Sequence, residues 1–275
     1  MLHHIRFKEH SIQVYDEGQG EPIVFLHGWP TNAKLWQAQA NALKAYFRVI
    51  RPEWLGFGGS DKPEEHRFSF TENKEALDTV LQALLAPGEK VNLVGHDIGG
   101  PPGLLWAAEH EDQVKRLILL NTVLFPFKTR LDAFSEWLMH TPLTRSIFVS
   151  RMGLSAVLQT NTRSWGKAVN QRIKAILAAN EESSESVRLH TLLDPVGEGR
   201  SKETPGLSQK FSALSVPKYL IIAKKDPLLY AHIRQLSKEN PAVPSHIIPN
   251  CGHFIPIDRP NHLNRILLDI LRSDV

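Results

Sequence analysis

The chain of 275 residues has a single cysteine, Cys251, which excludes an intrachain disulfide framework. No apolar run approaches the roughly 20 residues that a membrane-crossing helix needs. The first ten residues, Met1 to His10, are charged and lack the apolar stretch of a secretory signal. Neither sign of charge dominates: 32 Lys and Arg against 29 Asp and Glu leave +3. That balance, without any long run of like charge, speaks against a nucleic-acid binder and against a polybasic membrane patch. The expectation is a soluble, cytoplasmic globular protein with a reduced thiol. At 42% hydrophobic and 22% charged residues, the chain can bury a core as one large domain or as one domain with an insertion.

Short apolar, β-branched runs alternate with helical patterns. Strands are expected at Ser11–Tyr15, Pro22–Leu26, Arg48–Arg51, Val91–Val94, Arg116–Leu120, Tyr219–Ala223 and Ser245–Ile248. Helices are expected between them at Lys34–Tyr46, Thr71–Leu85, Gly103–His110 and Leu228–Lys238, with a last one at Asn261–Leu271. This order indicates an α/β protein with a mostly parallel sheet flanked by helices. The interval 125–215 breaks the alternation. It holds helical patterns near Thr129–Met139, Leu143–Met152, Trp165–Ala179 and Ser184–Leu193, then a Gly, Pro, Ser and charge-rich stretch, Asp194–Ser208. Residues 1–124 and 216–275 therefore read as the core domain, and 125–215 as an inserted helical cap.

The strongest local signal is Gly95-His96-Asp97-Ile98-Gly99-Gly100, where a strand pattern turns into a helix pattern. A strained turn flanked by small residues lifts its central side chain to the top of a sheet, beside the amides of a helix N-terminus. The central residue is Asp97. A serine there makes an acyl-enzyme, whereas a carboxylate attacks a saturated carbon and becomes an ester itself. The plain alternative is an aspartate capping a helix, for which the flanking glycines are unnecessary.

Phe25-Leu26-His27-Gly28-Trp29-Pro30 follows another strand. The N–H groups of Trp29 and Ile98 are the expected oxyanion hole. A loop histidine, His253 in Asn250-Cys251-Gly252-His253-Phe254, is the expected general base for water. Two strand ends are placed to offer an acid that orients it. Leu119-Leu120-Asn121-Thr122 carries no carboxylate, while Ala223-Lys224-Lys225-Asp226 offers Asp226. Asp258 reads as a helix-start or turn residue, and His27 and His96 as partners of local backbone.

These segments, with Leu55-Gly56-Phe57-Gly58-Gly59-Ser60-Asp61-Lys62-Pro63, are similar to α/β-hydrolases of the haloalkane dehalogenase and epoxide hydrolase group, which work through an aspartate nucleophile. The resemblance covers the core and implies the α/β-hydrolase fold. It implies a hydrolase that needs no cofactor and acts on a small molecule. It departs at Ile98, where dehalogenases of this group usually have a tryptophan that holds the leaving halide. The remaining candidates for that role are Trp29, Trp137 and Trp165. Epoxide hydrolases of the group use cap tyrosines, but the four tyrosines here are Tyr15, Tyr46, Tyr219 and Tyr230, none within 125–215. Carbon–halogen bond hydrolysis on a small apolar substrate is therefore expected. The rivals are an epoxide hydrolase using His140 or His190 as acid, and a catalytically weak member that binds a small ligand. Ile98, Phe57, Phe125 and Leu154 are candidate pocket walls. No metal-binding or P-loop motif occurs, and the oligomeric state is left open.

Overall fold

The computed structural model describes residues 1–124, 142–162, 167–180, 183–184, 187–188, 190–191 and 205–273. Two antiparallel strands open the chain, β1 (Leu2–Phe7) and β2 (His10–Glu17). Then β3 (Pro22–Leu26), α1 (Gln37–Leu43), β4 (Arg48–Pro52), α2 (Phe70–Leu84), β5 (Val91–Asp97), α3 (Gly100–Glu109) and β6 (Val114–Thr122) alternate as expected. After β6 come α4 (Pro142–Val149), α5 (Arg151–Thr160), α6 (Lys167–Ala179) and α7 (Pro205–Ala213). The core resumes with β7 (Lys218–Ala223), α8 (Tyr230–Glu239), β8 (Ser245–Ile248), the short α9 (Ile255–Asp258) and α10 (Pro260–Arg272).

The strands form one eight-stranded sheet in the order β1-β2-β4-β3-β5-β6-β7-β8, parallel from β4 to β8. Every residue of β3 and β5 is buried, as a parallel sheet covered on both faces requires. From β3 the chain crosses to β4 on one side, while β5 and β6 follow on the other. Right-handed crossovers in opposite directions put α1 on one face and α2 and α3 on the other. The α10 helix joins α1, and α7 joins α3. Leu263, Ile266, Leu267, Ile270 and Leu271 form the buried stripe of α10. The reversal between β3 and β5 opens a crevice at their carboxyl ends, the place where such sheets receive ligands.

Three elements differ from expectation. The β1 strand was not foreseen, because its apolar positions are too few for a clear alternation; pairing to β2 supplies its hydrogen bonds. The pattern at Leu143–Met152 is two helices. Ser150 ends the first, donating to the Ile147 carbonyl at 2.6 Å, and caps the second by accepting from the Gly153 N–H at 3.1 Å. Pro205 opens α7 inside the stretch that reads as a polar connection, in keeping with proline at a helix start.

The interposed helices are tied to loops at the carboxyl edge of the sheet. Asn180 donates to the Pro30 carbonyl at 3.0 Å and accepts from Asn32 Nδ2 and the Gly58 N–H, both at 2.9 Å. Arg172 donates to the Ile257 carbonyl at 3.0 Å, and Ser183 to the Gly56 carbonyl at 2.8 Å. Among the described residues no helix is long and apolar enough to cross a membrane.

Leu93, at the centre of β5, is fully buried. Leu93→Ala is expected to lower the unfolding free energy by about 2–5 kcal/mol, read as a reduced denaturant midpoint with an unchanged slope.

Candidate active site

Asp97 ends β5 with φ +53°, the left-handed region that a residue with a Cβ seldom enters. Its neighbours make room for that turn. A Cβ on Gly99 would meet the His27 carbonyl oxygen at 2.5 Å, and one on Gly95 would meet the Gly100 Cα at 2.8 Å. Thr122, at the end of β6, donates its hydroxyl to the Asp97 carbonyl at 2.6 Å and holds the bend from the adjacent strand.

The Asp97 carboxylate meets the loop after β3. The Trp29 N–H donates to its Oδ2 at 2.9 Å, and the Ile98 N–H also bears on the carboxylate. A Cβ on Gly28 would lie 2.5 Å from that same Oδ2, so only glycine permits the approach. The Trp29–Pro30 peptide is cis. His27 keeps the loop in shape: its Nε2 accepts from the Trp54 N–H and its Nδ1–H donates to the Gly28 carbonyl, both at 3.2 Å. Burial holds this imidazole at a pKa of about 3, so it is neutral. The Trp29 indole stacks on Phe148 of α4 at 5.6 Å.

His253 lies across the crevice. Its Nδ1 is 2.8 Å from Asp226 Oδ2 and its Nε2 is 3.8 Å from Asp97 Oδ1. A carboxylate only accepts, so Nδ1 carries the proton toward Asp226 and Nε2 faces Asp97. The second distance exceeds a direct hydrogen bond. Asp226 also accepts from Asn121 Nδ2 and from the N–H groups of Leu228 (2.7 Å) and Leu229 (3.1 Å). Asn121 completes its own amide by accepting from the Ala223 N–H at 2.8 Å.

These contacts separate the two carboxylates electrostatically. Burial alone would raise both. For Asp226, the charge of His253 and the bonds from His253, Asn121 and Leu228 outweigh burial and bring the pKa down to about 2. For Asp97, burial wins over His253 and the two amides, and its pKa lies above the usual carboxylate range. His253 is lowered by burial, but the charge and hydrogen bond of Asp226 and the charge of Asp97 prevail and raise it.

The structure thus brings Asp97, His253, Asp226 and the amides of Trp29 and Ile98 together at the crevice. Trp137, Trp165, Phe125 and His140 lie outside the described residues. His190 is exposed. Phe57 packs edge-on against His27 at 5.1 Å, and Leu154 lines a cavity of about 340 Å³ with Arg151, Leu177, Asn180 and Arg188. Asp258 does more than start a helix: it is buried and accepts from the Gly252 N–H at 2.7 Å, bracing the loop that carries His253. Cys251 is buried beside it, and burial raises its thiol, leaving it unreactive. Asn180 was not singled out from sequence, and no role was assigned to Asn121 or Thr122. Asn121 stands at the strand end that was searched only for a carboxylate. Among the described residues no cluster of three or more His, Cys, Asp or Glu is placed to hold a metal.

The family with the alpha/beta hydrolase fold matches residues 21–260, and the chain belongs to it. Haloalkane dehalogenase 2 of Mycobacterium tuberculosis is 27% identical over 268 residues, covering 94% of this chain and 90% of that protein. The soluble epoxide hydrolase of a Corynebacterium species is 26% identical over 269 residues, covering 88% and 87%. A cis-3-alkyl-4-alkyloxetan-2-one decarboxylase of Xanthomonas campestris is 40% identical over 125 residues, covering 42% and 41%. The protein is a hydrolase of the α/β fold.

Asp226→Asn is expected to lower the His253 pKa, because it removes the main group that raises it while burial remains; ring-proton NMR titration checks this. Asp226 also sets an acid-stability window. Its pKa is depressed in the folded state, so its stabilisation is full above the ordinary aspartate range and lost as pH falls toward about 2. The variant should therefore lose less stability than the parent between about pH 4 and 2.

Proposed function

We propose that the protein hydrolyses the carbon–halogen bond of a small apolar substrate through a covalent ester on Asp97, beneath a cap formed by residues 125–215. The observation that carries this reading is the Asp97 carboxylate itself. One oxygen rests on the Trp29 amide, the other faces His253, and no lysine or arginine among the described residues pairs with it.

In the first step Oδ1 forms a bond to the substrate's saturated carbon and the halide departs with the bonding electrons. Burial leaves the carboxylate poorly solvated, which favours its attack. The ester is neutral, so one of the two anions that raise His253 disappears. The imidazole then gives up any Nε2 proton more readily and is ready as a base. In the second step a water transfers a proton to Nε2 while its oxygen adds to Asp97 Cγ. The oxyanion forms on Oδ2, between the amides of Trp29 and Ile98. Collapse breaks the Cγ–O bond to the alkyl group, the alkoxide takes the proton from His253, and the carboxylic acid left on Asp97 releases its proton to solvent, which restores the carboxylate.

Halide departure needs no proton, whereas epoxide opening needs a donor to the ring oxygen. No tyrosine lies in 125–215, and His190 is exposed; both favour the halide reading. The ester route carries over to other strained or activated carbon–oxygen substrates, so the substrate assay includes them.

The test is halide release from brominated alkanes, run beside an epoxide and a β-lactone panel. Halide release is the expected result; silence in all three assigns the protein to small-ligand binding instead. Asp97→Asn should reduce turnover by at least about 10³-fold, measured as initial rate. In a single turnover in ¹⁸O-water the product alcohol should carry ordinary oxygen and Asp97 the label, read by peptide mass spectrometry.

A further inference from the structure

His96 precedes the nucleophile on β5, and its side chain takes the opposite face of the strand. Its Nε2 lies 2.9 Å from the carbonyl oxygen of His253, 157 positions away in the chain. A carbonyl only accepts, so Nε2 carries the hydrogen and donates it. The ring is fully buried, with centroids 4.7 Å from His253, 6.0 Å from Phe254 and 6.4 Å from Trp36. Burial keeps it neutral, with a pKa of about 3. Its other nitrogen, Nδ1, is buried without a hydrogen-bond partner.

A buried nitrogen without a partner is unfavourable, and an apolar side chain of similar size would fill this space without one. The His253 carbonyl also accepts from the Ile255 N–H at 2.9 Å, a bond that stays within the loop, while Asp258 holds the Gly252 N–H and the Cys251 carbonyl accepts from the Lys225 N–H at 2.9 Å. His96 adds the bond that ties this carbonyl to the strand carrying Asp97. Its own strand, one residue on, carries the carboxyl that the proton-bearing water attacks.

We propose that His96 is a positioning residue that sets the distance between His253 and Asp97 by a hydrogen bond from the nucleophile strand to the His253 carbonyl. The kinetic part rests on the Asp97 ester reading. In that reading His253 works only in the second step, so a displaced imidazole slows ester hydrolysis and leaves alkylation intact.

The experiment compares the parent with His96→Met, His96→Phe, His96→Gln and His253→Phe, using 1-bromobutane as probe. The Phe variant keeps a ring in place should Met fold poorly, and Gln restores an N–H donor. Expected for His96→Met and His96→Phe is a kcat reduced about 10–100-fold with kcat/KM nearly unchanged. The Asp97 adduct should accumulate in the intact-protein mass spectrum, and His96→Gln should recover most of the loss. In the absence of any substrate, the low-field Nδ1–H proton signal of His253 should broaden in the Met and Phe variants and persist in Gln. A parent-like kcat and an unchanged low-field signal in both Met and Phe overturn the proposal, as does an equal fall in kcat and kcat/KM without adduct. If His253→Phe itself gathers no adduct, the ester reading fails; the proton signal then decides the role of His96 alone.

Discussion

The site depends on one contact: the carboxylate of Asp97 lying against the Trp29 amide, across the gap between the ends of β3 and β5. Each side makes a concession to it. The Asp97 backbone occupies a left-handed conformation, a strain on the order of 1–3 kcal/mol. Gly28 gives up its side chain entirely. The bend persists because Thr122 holds its carbonyl and Gly99 lets the turn settle against the His27 carbonyl. The parallel sheet supplies the common base, since adjacent strands with their carboxyl ends on one edge bring two loops 68 positions apart into hydrogen-bond range.

Around that contact the two carboxylates are treated unequally. Asp226 accepts four hydrogen bonds and is fully enclosed. It stays ionised and holds the imidazole. Asp97 has amide support on one side only and an open second oxygen, with its carboxylate destabilised by burial. Pairs whose surroundings pull their pKa values apart are the pairs that divide chemical labour. Asp226 sits 2.8 Å from His253 and adds a full set of hydrogen bonds to that charge, whereas Asp97 stands 3.8 Å away with two amides.

Described residues of the helices after β6 reach this site directly. Asn180 touches Pro30, Asn32 and Gly58, and the Ile176 carbonyl accepts from Asn32, so the end of α6 rests on the loop that offers the Trp29 amide. Phe148 of α4 stacks on the Trp29 ring. A change in how these helices sit is thereby transmitted to the loop of the Trp29 amide through both polar and aromatic contacts.

Periodicity and turn chemistry made most of the core legible. Fully apolar runs such as Leu117–Leu120 and Tyr219–Ile222 belong to covered strands, and the glycines around Asp97 and before Trp29 mark close backbone approaches. The expected chain order of nucleophile, acid and histidine pointed to Asp226 and His253, which the structure places 2.8 Å apart. The edge strand β1, the break at Ser150 and the helix from Pro205 were not legible, because pairing and capping partners outside the local pattern decide them. The bonds that Asn121, Asp258 and His96 make were equally hidden. An amide or imidazole carries no sign of what it will bond until the sheet has placed another strand end or loop beside it. The sequence by itself determined which groups are chemically able to act. Only the tertiary structure decided their distances, their burial and hence their charges, because each depends on contacts between residues far apart in the chain.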